Sequence, residues 1–287
     1  MDKVAFLGLG VMGFPMAGHL AKRDFDLTVY NRTVSKAEEW TAAFNGRAAA
    51  TIGEAVKGAD IVFTCLGDDP DISAVADEAL QSIETGVIFV DHTTASPALA
   101  RRLHDQLGAR GVGFIDAPVS GGEAGAQNGK LSIMCGGDAV HVELARPVME
   151  AYGARIVHIG PAGHGQLAKA VNQICIAGVL QGLAEGVHFA ARSGLDIERV
   201  LEAISGGAAQ SWQMENRAKT MAADEFDFGF AVDWMRKDLR IALGEARDNG
   251  ARLPLTALVD QFYADVQAMD GGRWDTSSLI RRLSDVD

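Results

Sequence analysis

Val4-Ala5-Phe6-Leu7-Gly8-Leu9-Gly10-Val11-Met12-Gly13-Phe14-Pro15-Met16 decides the fold. A hydrophobic, strand-like run enters Gly8-x-Gly10-x-x-Gly13 and a helical pattern leaves it, and this strand–turn–helix context gives an otherwise weak glycine pattern its meaning. Gly8 permits the tight turn, Gly10 lets the backbone approach a pyrophosphate, and Gly13 allows close packing of helix on strand. The helix N-terminus adds partial positive charge. Gly8, Leu9, Gly10, Val11, Met12 and Gly13 are therefore expected to hold a dinucleotide.

Outward from this turn, short β-branched runs alternate with amphipathic stretches, the pattern of a mostly parallel sheet flanked by helices. Strands are expected near 3–8, 26–30, 47–50, 61–65, 87–91, 113–117, 131–135 and 154–159. Helices are expected near 12–23, 34–44, 70–82, 97–108 and 138–151. After Gly160-Pro161-Ala162-Gly163 the strand-like runs stop and helical periodicity continues to the C-terminus. The fold class is thus an α/β Rossmann-like dinucleotide-binding domain over 1–162, followed by an all-α domain over 163–287. One uninterrupted helix of roughly 40 Å is expected from about Gln166 to Arg192 at about 1.5 Å per residue. Gly178, Gly182 and Gly186 form a stripe along it that suits close helix packing.

A chain of 287 residues, 48% of them hydrophobic, can bury a full core. The net charge of -12 argues against nucleic acid and anionic membranes as partners, since both select basic surfaces. No run approaches ~18 consecutive apolar residues. Asp2 and the glycines that follow argue against a signal peptide. Cys65, Cys135 and Cys175 form no CxxC pair, so a disulfide framework and a zinc site are both unexpected and a cytoplasmic, reducing setting fits. The histidines are scattered without metal-ligand spacing, so no metal is expected.

An NAD-specific site would carry an acid at the end of the second strand to bind the adenosine ribose. Here that strand ends Val29-Tyr30-Asn31-Arg32-Thr33. Asn31 brings no repulsive charge, Arg32 can pair with a 2′-phosphate, and Thr33 can donate to it and cap the next helix. NADP(H) is the expected cofactor, with NAD(H) as the alternative.

The longer segment Gly8-Leu9-Gly10-Val11-Met12-Gly13-Phe14-Pro15-Met16-Ala17-Gly18-His19-Leu20 resembles the opening signature of the β-hydroxyacid dehydrogenases. This group includes 3-hydroxyisobutyrate dehydrogenases and semialdehyde reductases. The likeness continues in Asp91-His92-Thr93-Thr94, Asp116-Ala117-Pro118-Val119-Ser120-Gly121-Gly122, Gly163-His164-Gly165-Gln166-Leu167-Ala168-Lys169-Ala170-Val171-Asn172 and Lys237-Asp238-Leu239. The resemblance implies a Rossmann domain, a long connecting helix and a helical C-terminal domain, with the active site between them, in a homodimer or homotetramer. It implies a small carboxylate-bearing substrate, a β-hydroxy acid or its semialdehyde.

Hydride transfer at a carbonyl carbon leaves a proton to be moved at the oxygen, so an acid/base must stand there. Lys169 matches the family's catalytic position. Asn172 and Gln173, three and four residues on, share its helical face and are expected to bind substrate. Family members commonly have two asparagines there, so Gln173 is a departure that bears on substrate choice. Ser120, Gly121 and Gly122 are expected to bind the substrate carboxylate through a hydroxyl and backbone N–H groups. Thr94, Cys65 and Leu66 end strands on the cofactor side, and Lys237 resembles the family's cofactor-side lysine, with Asp238 beside it to orient it. Two other readings are an imine reductase-like enzyme, against which Lys169 weighs, and a non-catalytic dinucleotide-binding protein. The length is too short for 6-phosphogluconate dehydrogenase.

Overall fold

The structure, a computed structural model, describes residues 3–284. It divides into two compact units, one ending at Lys169 and the other starting at Ala170. In chain order the first contains β1 (Lys3–Leu7), α1 (Gly13–Ala21), β2 (Asp26–Tyr30), α2 (Val34–Ala43), β3 (Arg47–Ala48), α3 (Ile52–Val56), β4 (Ile61–Thr64) and α4 (Asp69–Ala79). There follow β5 (Ile88–Asp91), α5 (Pro97–Gly108), β6 (Gly113–Asp116), β7 (Val119–Ser120), α6 (Gly122–Gln127), β8 (Leu131–Gly137), α7 (Ala139–Met149) and β9 (Gly153–Gly160). Then α8 (His164–Arg192) leads into the second unit.

Strands β3-β2-β1-β4-β5-β6 lie side by side and parallel. β8 pairs antiparallel with β6 and β7, and β9 runs parallel to β8. The chain therefore starts mid-sheet and winds both ways, so β1 and β4 diverge at the topological switch point where open α/β sheets bind ligands. Alternation of side chains builds a core on each face. Val4, Phe6, Ile61, Phe63, Ile88 and Val90 pack under α1 and α2 with Trp40 and Tyr152. Ala5, Leu7, Val62 and Phe89 pack on the other face with Ile72, Leu103 and Phe114.

The second unit is helical: α9 (Ile197–Ile204), α10 (Trp212–Ala222), α11 (Val232–Asn249), α12 (Pro254–Ala268), two 3-10 turns (Gly271–Arg273 and Thr276–Ile280) and α13 (Arg281–Ser284). Ala177, Leu180, Ala184 and Val187 recur at helical spacing on α8 and enter a core with Met235, Leu239, Val259 and Tyr263.

Three local expectations change. α3 and the β7–α6 pair replace what the pattern suggested were loops, because elements of two to six residues are too short to show a period. Thr33 stands at the N-cap position of α2, but its hydroxyl makes no capping hydrogen bond. And α8 holds an 18-residue window of mean hydropathy 1.5, long and apolar enough by composition to cross a membrane. Scattered polar residues hide that average from a search for unbroken apolar runs; here the helix spends its inner stripe on the second unit's core.

Candidate active site

The parallel strands end in register. Leu7 pairs with Thr64, Thr64 with Asp91, and Asp91 with Asp116, so the residues just beyond them gather along one edge of the sheet. Gly8 leaves β1 with φ +101, which a side chain would strain, and a Cβ there would strike the Cys65 carbonyl. At Gly13 a Cβ would stand 3.0 Å from the Phe6 ring. At Gly10 nothing lies within 4 Å of the Cβ position, so the backbone is open to the close approach of a phosphate. This turn, at the start of α1, fits a dinucleotide.

Asn31 does more than avoid charge. Its Oδ1 accepts the Leu9 N–H at 2.9 Å and its Nδ2 donates to the Thr33 carbonyl at 3.0 Å, tying the glycine turn to the end of β2. Arg32 is exposed and reaches Asp71 at 3.2 Å. Leu66 N–H donates to the Thr93 hydroxyl at 2.9 Å, which joins the ends of β4 and β5 beside Cys65 and Thr94.

Behind this edge lies a buried polar layer. Asp91 accepts from the Thr64 hydroxyl at 2.8 Å and from Thr93 N–H at 3.0 Å. His92 Nδ1 lies 2.7 Å from the Ala117 carbonyl and Nε2 lies 2.8 Å from the Tyr152 hydroxyl. A carbonyl only accepts, so Nδ1 carries the proton and Nε2 takes the Tyr152 O–H. Burial holds this imidazole neutral, its pKa lowered to about 4.

Asp116 faces the start of α8. Its Oδ1 accepts Gly163 N–H at 2.7 Å and its Oδ2 accepts Gln166 N–H at 2.9 Å, an anionic cap on the N-terminal end of the helix. Burial raises its pKa to about 6, opposed by these two hydrogen bonds. Gly165 makes the approach close: a Cβ there would stand 2.8 Å from Asp116 Oδ2. Gln166 is buried and ties α8 to the end of β5. Lys169, three residues further along, is 8% exposed. Ser120 ends β7, and Gly121 and Gly122 follow with φ +132 and +61, left-handed backbone that favours glycine.

In the second unit Gln173 is buried, and its Nε2 donates to Asp238 Oδ2 at 2.7 Å. Asn172 Nδ2 donates to Gln173 Oε1 at 2.8 Å, while Lys237 Nζ stands 3.3 Å from Asp238 Oδ1 and 5.6 Å from the Trp234 ring. Asn172, Gln173, Lys237 and Asp238 thus form one chain, in which Asp238 orients both the amide and the ammonium. Trp212 stacks on Arg217 instead of joining this group.

Asp116, Gln166 and the His92–Tyr152 pair were not read as site residues from sequence. Asp116, Gln166 and His92 stand inside the motifs that carry the resemblance, which was their only signal, and Tyr152 stands outside them.

Residues 3–160 match the family model for the NAD binding domain of 6-phosphogluconate dehydrogenase, and residues 163–283 match that for the NAD-binding of NADP-dependent 3-hydroxyisobutyrate dehydrogenase. The chain is 58% identical over 99% of its length to a protein named uncharacterized oxidoreductase from Shewanella frigidimarina, with 98% of that protein covered. It is 34% identical to 2-hydroxy-3-oxopropionate reductase of Escherichia coli, over 98% of this chain and 97% of that one. A solved structure of Mycobacterium tuberculosis 3-hydroxyisobutyrate dehydrogenase with L-serine superposes with a TM-score of 0.89 at 32% identity, covering 99% of both chains. The fold and site define an oxidoreductase that acts on CH–OH groups with a nicotinamide dinucleotide. The chain belongs to the β-hydroxyacid dehydrogenase family.

Proposed function

We propose that this protein interconverts a small β-hydroxy acid and its semialdehyde with NADP(H), working mainly as a semialdehyde reductase. The observation that carries the reading is the placement of Lys169: buried, on a helix whose start is fixed by Asp116 and Gln166 to the ends of β6 and β5. A bound nicotinamide supplies the hydride in reduction. Lys169, as the ammonium, polarises the carbonyl and gives its proton to the oxygen as the alcohol forms; in the reverse direction the neutral amine takes that proton. Ser120, Gly121 and Gly122 bind the carboxylate, which lets a chain of net charge -12 hold an anion without a basic surface. Asn172 and Gln173 orient substrate, with Gln173 fixed by Asp238. Arg32 selects the 2′-phosphate; its present partner, Asp71, is an exposed pair worth only about 0–1 kcal/mol, so a phosphate can displace it. The partner is a small carboxylate substrate, neither nucleic acid nor membrane, and the setting is cytoplasmic, where thiols such as buried Cys135 stay reduced.

Initial rates with succinic semialdehyde, glyoxylate, tartronate semialdehyde, 3-hydroxyisobutyrate and serine, each with both cofactors, test this. The expected result is fastest turnover of a semialdehyde acid and a higher kcat/KM with NADPH. A clear preference for NADH contradicts the cofactor assignment, and activity on none of the five contradicts the substrate class.

A further inference from the structure

Gln166 makes three hydrogen bonds at one point in the fold. Its backbone N–H binds Asp116 at the end of β6. Its side-chain Oε1 accepts Ala95 N–H at 3.0 Å, and its Nε2 donates to the Thr93 carbonyl at 2.7 Å. Its place on α8 carries Lys169 less than one turn away, about 4.5 Å further along the axis. The peptide N–H can only donate and the carbonyl can only accept, so the orientation of the amide is dictated by its surroundings. Both backbone partners flank Thr94. The side chain is 2% exposed, so water does not compete for either bond.

We propose that Gln166 is the positioning residue that sets the distance between the proton donor and the hydride donor. The proposal rests on the reading above, with Lys169 as acid/base, and on the expectation that Thr94 stands on the cofactor side of the sheet. One rigid amide clamps the Thr93–Ala95 backbone to the first turn of α8, so the two halves of the reaction keep a fixed spacing without Gln166 touching substrate. Displacing a reacting group by about 1 Å costs roughly 100-fold in rate, so a loose clamp should slow chemistry more than it weakens binding.

Gln166→Met keeps the side-chain length and removes both hydrogen bonds; Gln166→Glu keeps the acceptor for Ala95 and loses the donor to Thr93. In the full-length enzyme the expected result for Gln166→Met is a kcat lowered roughly 30- to 100-fold. The KM of the aldehyde and the Kd of NADPH should stay within about 3-fold, and the isotope effect with 4-deuterated NADPH should rise as hydride transfer becomes rate-limiting. Gln166→Glu should fall between the two. The inference is overturned if the variants keep wild-type kcat and isotope effect, or if activity falls only in step with NADPH affinity or folded fraction. A parallel Lys169→Ala enzyme separates the failures: full turnover there removes the underlying reading, whereas an inactive Lys169→Ala beside a normal Gln166→Met removes only this one.

Discussion

His92 is neutral at physiological pH because burial penalises its charged form more than the hydrogen bond to the Ala117 carbonyl favours it, and Tyr152, its own pKa raised by burial, stays a donor. A base whose pKa falls from 6.5 to about 4 on folding binds fewer protons folded than unfolded across that window, so it makes stability rise with pH there. Asp116 acts in the opposite sense. Its pKa rises from 3.8 to about 6, so the folded state holds the extra proton and stability falls with pH over nearly the same window. The two slopes offset one another in the intact protein. Replacing His92 by Gln exposes the imbalance: the substitution should cost more stability at pH 7.5 than at pH 4, the difference being roughly 3 kcal/mol. Urea unfolding of both proteins at the two pH values measures this, and a penalty independent of pH would show that His92 is not buried as a neutral ring. Single residues of this kind were hidden in the sequence. His92 and Tyr152 are 60 positions apart, Asp116 and Gly163 47, Gln166 and Thr93 73, and nothing local marks such pairs.

At the scale of elements, strands and long helices were legible because each carries its own period. β1 alternates between two cores, and α8 repeats apolar residues at three- and four-residue steps. β7 and α6 were illegible for the opposite reason: they are set by the positive φ of Gly121 and Gly122, which a glycine pair permits but does not announce. The outer face of α8 carries the next prediction. Val171, Val179 and Phe189 are exposed, Phe189 by 69%, and a Cβ on Gly182 or Gly186 would meet nothing within 4 Å; only Gly178 packs closely, on Leu255. An apolar helix face of this kind, with glycines that let a second backbone approach, suits a second copy of the chain. We expect a homodimer or homotetramer built on it. Light scattering should give a multiple of the 30.3 kDa chain mass, reduced to one chain in a Val179→Glu/Phe189→Glu double variant. A single-chain mass for the unmodified protein, or an unchanged multimer in the variant, contradicts this.

At the scale of the whole molecule, the glycine turn announced a dinucleotide but no chemistry, and the acidic composition argued against nucleic acid and anionic membranes without naming a partner. Lys169 became a candidate through the resemblance of its motif, since a lysine early in a helix is ordinarily a solvated residue. The structure adds a reason internal to the chain: Lys169 is buried, and the helix that carries it is fastened to two strand ends by Asp116 and Gln166. Gln173 stays bound to Asp238 within the helical unit, so its added methylene relative to asparagine is taken up by an internal hydrogen bond. The central claim is that Lys169 moves the proton. Single-turnover reduction of a semialdehyde acid by the NADPH-loaded Lys169→Ala enzyme tests it most directly. The account predicts a loss of at least about 100-fold in the rate of NADPH oxidation with NADPH affinity little changed; a rate near that of the unmodified enzyme would contradict it.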